Sequence, residues 1–221
     1  MKVLIACEES QAVTKQFRVL GHEAYSCDIL PCTGGHPEWH FEGDVFKYIN
    51  KGWDLMIAHP PCTYLAVSGA RHLYNKDKSP NIERYKNQAD ALDFVRKLME
   101  ANIPKIAIEN PISVISSKIR KPDQIIQPYL FGDSASKSTC LWLKNLPKLK
   151  PTNIVDKGEF KEWIDKNTGK VKRQALWYYE ALQQAKNLAE RRTLRSKTFK
   201  GMAEAMASQW SNNYIIQNKL F

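Results

Sequence analysis

The sequence contains no apolar stretch of about 18 residues, the length that a membrane-spanning helix requires. It also lacks the charged and then apolar leader that directs export. Its five cysteines, at positions 7, 27, 32, 62 and 140, are odd in number and widely scattered, which argues against a disulfide framework. We therefore expect a cytoplasmic protein whose cysteines are free thiols.

Acidic residues are scarce in one segment only. Residues 144–200 contain 15 Lys or Arg against 6 Asp or Glu, whereas residues 1–143 carry 17 against 16. Almost all of the formal net charge of +10 therefore lies in one block. Such a block is typical of a surface that binds a polyanion, because neutralised phosphates release their counterions. A solvated surface that keeps the protein soluble is the alternative interpretation.

The first predicted turn lacks the glycines of a dinucleotide-binding site. Residues 2–6 predict a strand, residues 12–20 predict a helix with Ser10 as its N-cap, and residues 23–27 predict a second strand that ends at Asp28. This order is typical of the nucleoside-binding half of a doubly wound sheet, in which the acid binds the ribose hydroxyls. A chain of 221 residues can hold one such α/β domain and a small appendage.

Two acids occupy the turn where the glycines would be. Glu8 and Glu9 would repel a pyrophosphate and would better tolerate a cationic or zwitterionic ligand that carries hydroxyls. S-adenosylmethionine, a sulfonium with an amino acid, fits that description. Gly43, Asp44 and Val45 suggest a third strand edge, with Asp44 facing the same crevice as Asp28.

A cysteine follows the apolar run at residues 55–58. This run predicts a buried strand, and Pro60 and Pro61 cannot continue a sheet, so Cys62 must lie in the loop beyond the carboxyl end of that strand. A thiol on a stiff Pro-Pro turn suits a nucleophile that meets one carbon at a fixed angle. A small buried cysteine at a strand end is the alternative.

The next predicted strand, residues 105–108, ends in Glu109-Asn110-Pro111. Consecutive strands of a βαβ unit finish in one crevice, so Cys62 and Glu109 are expected there together. A carboxyl at such a site can stay protonated, or share a proton with a ring nitrogen, if burial raises its pKa. Glu109 as a cap for the following segment is the other possibility.

These motifs resemble those of the C5-cytosine DNA methyltransferases, specifically the short type encoded by phages and prophages. In that family a Pro-Cys loop gives the nucleophile and a Glu-Asn dipeptide gives the acid, and Pro61-Cys62 and Glu109-Asn110 occupy those places. The resemblance covers residues 3–143 and resumes from about residue 191. It implies a methyltransferase-type Rossmann-like sheet, S-adenosylmethionine as cofactor, DNA as partner, and a monomer in the cytoplasm of a bacterium or an infected host cell.

The resemblance also implies roles for individual positions. Those implied for catalysis are Cys62, Glu109, Asn110, Lys137 and Thr139. Those implied for cofactor binding are Ala6, Cys7, Glu8, Ser10, Asp28, Ile29, Asp44, Val45, Pro60 and Ala203. Residues 1–143 would form the catalytic core, residues 144–194 a short basic target-recognition segment, and residues 195–221 a C-terminal helix that returns to the core.

The implied reaction is specific. Cys62 would add to carbon 6 of a flipped cytosine, Glu109 would hydrogen-bond the ring at N3 and the exocyclic amine, and carbon 5 would take the methyl group. The sequence departs from the family in two places that bear on this. The family's Phe-x-Gly-x-Gly turn is replaced by residues 6–11, and its Gln-Arg-Arg-x-Arg cluster is reduced to Lys137.

Three other functions stay open. An amino-methyltransferase carries an Asn/Asp-Pro-Pro-aromatic loop at the same strand end, but this chain has His59 and Cys62 at the flanking positions. A non-catalytic DNA-binding relative could have kept the fold and lost the cofactor. The same thiol addition could also use another one-carbon donor.

Several local patterns complete the expectation. Residues 68–84 lack apolar periodicity and are predicted to form a mobile lid, and residues 166–170 predict a hairpin turn. A helix is predicted from Trp177 to about Arg192. Cys32, His36 and His40 are spaced four apart, which would allow a partial zinc site, but polar loop residues without a metal are the preferred interpretation. A buried helical stripe is predicted at Met202, Ala205, Met206, Gln209 and Trp210.

Overall fold

A seven-stranded sheet forms the centre of the protein. The computed structural model describes residues 1–196 and 198–211. The strands of the sheet are β1 (Lys2–Ala6), β2 (Glu23–Asp28), β3 (His40–Glu42), β4 (Leu55–Ala58), β5 (Lys105–Pro111), β6 (Gln124–Ile126) and β7 (Thr139–Lys144). Their spatial order is β3-β2-β1-β4-β5-β7-β6.

Burial on both faces explains why the central strands read as continuous apolar runs. All four residues of β4 are fully buried, as are Val3 to Ala6 of β1. Strands β3, β2, β1, β4 and β5 pair in parallel, whereas β7 runs antiparallel to both β5 and β6. The α/β doubly wound, Rossmann-like sheet that the sequence predicts is therefore confirmed.

Helices cover both faces of this sheet. They are α1 (Ala12–Val19), α2 (Ile82–Met99), α3 (Ile115–Lys118), α4 (Leu176–Gln184), α5 (Leu188–Ser196) and α6 (Lys200–Trp210). One core cluster contains Leu92, Val95 and Leu98 of α2, and the other joins α1 and α6 on the opposite face. The sheet is thus enclosed by apolar packing, and the loops at its strand ends are left to carry polar groups.

Helix α1 is capped by Glu8 and not by Ser10 as the sequence suggested. The carboxylate of Glu8 accepts the backbone N–H of Val13 at 2.7 Å and of Thr14 at 3.3 Å, and the Thr14 hydroxyl donates to it at 2.7 Å. Gln11 takes the N-cap position in a left-handed conformation, without a side-chain cap bond. The helix N-terminus that holds phosphate in dinucleotide-binding proteins is therefore occupied by a carboxylate of the chain itself.

Helix α6 packs closely against the loop that precedes β7. A Cβ placed on Gly201 would lie 1.7 Å from the Phe131 carbonyl oxygen, so only glycine fits there. All five residues of the predicted C-terminal stripe are buried, which confirms it. Lys197 and residues 212–221, which belong to the expected C-terminal segment, lie outside the described residues.

The basic segment contains a two-stranded hairpin and two helices. Strands β8 (Phe160–Ile164) and β9 (Val171–Ala175) pair antiparallel around the predicted turn, which confirms the hairpin. The Asp165 side chain accepts the backbone N–H groups of Asn167 and Thr168 within this turn. The prediction of a single helix from Trp177 to about Arg192 is wrong, because α4 ends at Gln184 and a second helix, α5, begins at Leu188.

The third strand lies earlier than expected. It spans His40–Glu42, and the Asp44 side chain instead accepts the Phe46 N–H at 3.0 Å to start a short 3-10 turn at Val45–Lys47.

Within the described part of the chain, no helix is long and apolar enough to cross a membrane.

Candidate active site

The candidate site lies where the strand order of the sheet reverses. Strands β2 and β3 lie on one side of β1, and β4 and β5 lie on the other. Open α/β sheets bind ligands outside the carboxyl ends of the strands at such a point. The His59 N–H donates to the Ala6 carbonyl at 2.9 Å, so the loop after β4 starts directly beside the turn after β1.

The Pro-Pro-Cys loop is fixed at both ends. The Asn110 amide donates to the Pro60 carbonyl at 2.8 Å, and this Asn110 side chain is buried. Beyond the prolines, the Cys62 carbonyl accepts the N–H groups of Leu65 and Ala66, which forms a tight turn. Cys62 itself is exposed. The loop therefore holds Cys62, an exposed residue, on a constrained backbone.

Glu109 lies on β5 and not beyond its end. The antiparallel pairing with β7 continues through Glu109 opposite Leu141 and Asn110 opposite Cys140. This neighbour extends β5 by three residues past the predicted end and holds the carboxyl-bearing backbone in a sheet. Glu109 therefore does not serve as a cap for the following segment.

A histidine that sequence reasoning left aside is the partner of Glu109. Nδ1 of His59 lies 3.1 Å from Oε2 of Glu109, and the side chains are only 12% and 15% exposed. Burial alone would raise the pKa of Glu109, but the hydrogen bond and charge of His59, together with Lys137, hold that pKa below its ordinary value. The expectation of a carboxyl that burial keeps protonated is thus wrong for the protein without substrate.

The thiol of Cys62 shares this electrostatic environment. Desolvation by the surrounding protein, followed by the charge of Glu109, raises the pKa of Cys62 above its ordinary value, while Lys137 and Arg195 oppose the rise. The sulfur and the carboxylate are thus close enough to influence each other. At neutral pH the resting thiol is protonated.

A narrow cleft of about 10 Å³, room for about one water molecule, lies beside these groups. Its lining residues are His59, Glu109, Lys137, Thr139, Thr198, Phe199, Met202 and Met206. Polar groups from β4, β5 and the start of β7 form one wall, and the segment leading into α6 forms the other. Three of the positions implied for catalysis, Glu109, Lys137 and Thr139, therefore line one cleft. Cys62 lies within electrostatic range of Glu109 and Lys137, and Asn110 holds the loop that carries it.

The positions implied for cofactor binding fall into two groups. Cys7, Ser10, Asp28, Ile29 and Asp44 have at least part of their surface accessible around the turn after β1. The side chains of Ala6 and Ala203 are fully buried, and those of Glu8 and Val45 are 3% and 4% exposed. Pro60 is also buried, and its carbonyl is used by Asn110. Buried side chains have no surface for a ligand, so a direct contact from Ala203, which packs in the α1 and α6 cluster, is not supported.

Carboxylates give the turn after β1 a negative electrostatic environment. Burial and then the charges of Asp28, Cys27 and Asp44 raise the pKa of the Cys7 thiol, and burial followed by Asp28 raises that of Cys27 to about 12. Burial, helped by Glu9, raises the pKa of Asp28 above its ordinary value. The carboxylates of Glu9, Asp28 and Asp44 therefore act on the same turn, which favours a cationic ligand over a phosphate.

A loop after β2 packs onto this same turn. The Gln11 side chain donates to the His36 carbonyl at 2.8 Å and accepts the His36 N–H at 3.1 Å. Thr33 donates its N–H to the Glu9 carbonyl at 2.9 Å. Gly34 lies so close to Gln11 that a Cβ would come within 2.5 Å of it. The loop is thereby held against the first turn.

The histidines of this loop have structural partners. His36 lies 3.0 Å from Glu38 and stacks on Trp39, while Nδ1 of His40 lies 2.8 Å from the Ser26 hydroxyl. Among the residues that the structure describes, no group of three or more His, Cys, Asp or Glu side chains could hold a metal ion.

Known proteins of similar shape are found among the solved structures. No protein-family model matches the chain, and no curated protein sequence matches it. The fold is similar, with a TM-score of 0.46 and 14% sequence identity, to that of a prophage-encoded E. coli chain assigned as a DNA modification methyltransferase. The similarity covers 81% of this chain and 63% of the other, so this chain spans less than two thirds of that protein's length.

The electrostatic coupling around Cys62 can be tested by alkylation. Replacing Lys137 by Gln removes a positive charge that lowers the pKa of Cys62, so the thiolate fraction at pH 8 should fall. A rise of half a pKa unit would slow alkylation by iodoacetamide about threefold. Peptide mass spectrometry after timed quenching measures the rate at each cysteine. Cys32 in the same protein and the exposed Lys121→Gln variant serve as controls, and an unchanged Cys62 rate would contradict the arrangement.

Proposed function

We propose that the protein is a DNA cytosine C5 methyltransferase that transfers a methyl group from S-adenosylmethionine. The observation that carries the proposal is that Cys62, on the exposed loop after β4, lies within electrostatic range of a nearly buried carboxylate, Glu109, which lines the cleft at the switch point of the sheet. Thiol addition followed by carbon alkylation needs a nucleophile and a hydrogen-bonding acid on the same ring.

Cys62 supplies the nucleophile in this proposal. The thiol first loses its proton to solvent, and the thiolate sulfur then bonds to carbon 6 of cytosine while the electrons of the carbon 5–carbon 6 double bond shift toward N3. Carbon 5 thereby becomes an enamine carbon that can accept a methyl group. Loss of the carbon 5 proton then expels the sulfur and restores the aromatic ring. The rigid Pro60-Pro61 turn and the Asn110 bond behind it keep the sulfur in one position during these steps.

Glu109 orients the base. One carboxyl oxygen of Glu109 on β5 would accept from the exocyclic amine of cytosine, and the other, once it carries a proton, would donate to N3, which places carbon 6 against Cys62. Lys137 and Thr139 enter from the start of β7, where the Thr139 hydroxyl donates to the Lys137 carbonyl at 3.2 Å. Since carbon 6 is inaccessible in a stacked duplex, the base must leave the DNA helix. The expected lid at residues 68–84 is shorter in the structure because α2 begins at Ile82, so residues 68–81 would close behind the base.

The turn after β1 fits a sulfonium ligand better than a nucleoside diphosphate. Glu8 already occupies the N-terminus of α1, so no phosphate site remains there. In this proposal Asp28 binds the ribose hydroxyls, and the adjacent Ile29, 75% exposed, offers an apolar surface for a purine. Glu9, Asp28 and Asp44 provide the negative field for a positive charge. The bound cofactor would supply the methyl group at its sulfonium.

The basic segment is the proposed DNA contact. Residues 144–194 contain the β8–β9 hairpin, and a two-stranded ribbon fits the major groove. Trp163 is 41% exposed on the ribbon, and Ile164 and Val171 at its tip are 69% and 68% exposed. An exposed apolar tip flanked by lysines can contact bases while the lysines bind phosphates. In this proposal residues 1–143 form the catalytic core and residues 195–221 return the chain to it.

The most direct functional test is base analysis of DNA from cells that express the protein. DNA from cells with the wild-type protein should contain 5-methylcytosine, whereas Cys62→Ala should abolish it because carbon 6 has no nucleophile. The purified Cys62→Ala protein should still bind DNA. Cys32→Ala is the matched control and should methylate normally.

Two outcomes would contradict the proposal. Methylation that persists in Cys62→Ala would remove the thiol as nucleophile. Wild-type protein that binds DNA but neither binds S-adenosylmethionine in calorimetry nor modifies DNA would instead identify a non-catalytic DNA-binding protein of this fold.

A second prediction concerns salt. Replacing Lys157, Lys161, Lys170 and Lys172 together by Ala should flatten the dependence of log K on log salt by about 0.9 for each lysine that contacts a phosphate. Lys172 pairs with Asp165 in the hairpin and should contribute least. Fluorescence anisotropy of a labelled duplex at salt concentrations of about 50 to 200 mM gives the slope for the wild-type protein and the slope for the variant.

The control for this experiment replaces four lysines outside the basic segment. These are Lys15, Lys47, Lys51 and Lys97. Both variants lose the same net charge, so only the location of the charge differs. Equal slopes in the two variants would show that the basic segment is a solvated surface.

A further inference from the structure

His59 is the least explained polar group of the site. It follows β4 directly, its backbone N–H is bonded to Ala6, and its side chain is 12% exposed. Nδ1 faces Glu109, whereas Nε2 is buried and has no hydrogen-bond partner among the described residues. A buried histidine with one ring nitrogen on a carboxylate and the ring in the cleft lining is placed to exchange protons through that carboxylate.

The charges around His59 come from three elements. Glu109 on β5 and Glu8 in the turn after β1 favour the imidazolium, and Lys137 before β7 opposes it. Burial lowers the pKa of His59, but the hydrogen bond and charge of Glu109, with Glu8, outweigh it and raise the pKa above its ordinary value of 6.5. The raised pKa of His59 and the lowered pKa of Glu109 favour the charged form of the two side chains, an imidazolium–carboxylate pair that contains one mobile proton.

The proposed reaction needs a proton at this place. When sulfur adds to carbon 6, the shifted electrons accumulate on N3, and protonation of N3 stabilises the adduct. Glu109 lacks a proton of its own, because His59 and Lys137 keep it ionised. The nearest store is the Nδ1–H of His59, 3.1 Å from the carboxylate oxygen.

We propose that His59 is a positioning residue that stores the proton which Glu109 delivers to N3 of the flipped cytosine. This inference rests on the proposed function. As the S–C6 bond forms, the Nδ1 proton of His59 moves to Glu109 and from Glu109 to N3, which leaves His59 neutral with its remaining proton on Nε2. When carbon 5 takes the methyl group together with its positive charge, N3 returns its proton through Glu109 to Nδ1, and the pair is restored.

The first test observes the pair without any reaction. Proton–carbon NMR of the five imidazoles resolves the titration of each histidine. His59 should titrate above 6.5 in the wild-type protein, and its pKa should fall in Glu109→Gln because burial is then opposed only by Glu8. His22, at the other end of the sheet, should be unchanged by Glu109→Gln. A His59 that stays neutral down to pH 6 in the wild type would overturn the pair.

The second test uses the pH dependence of methyl transfer. His59→Asn keeps an N–H near the Nδ1 position, so Glu109 keeps a hydrogen-bond donor, but this side chain cannot ionise. Turnover at pH 7.5 should fall about 10-fold to 100-fold, within the usual range for a lost proton-transfer group, with unchanged DNA affinity. In the wild type, kcat should decrease as pH rises through the raised pKa of His59, and His59→Asn should lose that decrease.

The control is His22→Gln, which should keep the wild-type rate and profile. A His59→Asn protein with the wild-type profile would assign His59 a purely structural role and overturn the proton store. Absence of methyl transfer by the wild-type protein at every pH would instead refute the proposed function, and the delivery step with it, whereas the NMR titration would still report on the pair.

Discussion

The parallel pairing of β4 with β5 determines where chemistry can occur in this protein. Ala58 lies opposite Ile108 in this register, so the next residues on the two strands, His59 and Glu109, come side by side. Their side chains meet at 3.1 Å. The bond from Asn110 to Pro60, one residue further along, then fixes the loop that carries the thiol. A shift of one residue in this register would point Glu109 to the other face of the sheet and separate all of these groups.

The two halves of the site differ in charge because different strands end in each half. Strands β1, β2 and β3 end in carboxylates around the first turn, which suits a cationic cofactor. Strands β4, β5 and β7 bring a histidine–glutamate pair with Lys137 nearby, which suits a polar base and the charge that develops on it. In the proposed function, one sheet would thereby separate the binding of a methyl donor from the binding of its acceptor.

The fold and the main pair of site residues could be predicted because they depend on local patterns. Short apolar runs identified β1, β2, β4 and β5, and the strand-end rule placed Cys62 and Glu109 together. The cap of α1 could not be predicted, because Glu8 lies three residues before the N-cap position and reaches the helix only through the tight turn at Gln11. The partner of Glu109 was missed because His59 and Glu109 are 50 residues apart and meet only through strand register. The end of β5 was also misplaced, since it depends on the antiparallel neighbour β7.

The central claim is that the sulfur of Cys62 bonds to carbon 6 of a cytosine. Incubation with S-adenosylmethionine and a duplex containing 5-fluorocytosine tests it directly, because fluorine at carbon 5 cannot leave as a proton does and the S–C6 bond persists. The account predicts a covalent protein–DNA complex whose digested peptide carries the modified nucleotide on Cys62. A complex attached through another residue, or no covalent complex under conditions where unmodified cytosine is methylated, would contradict it.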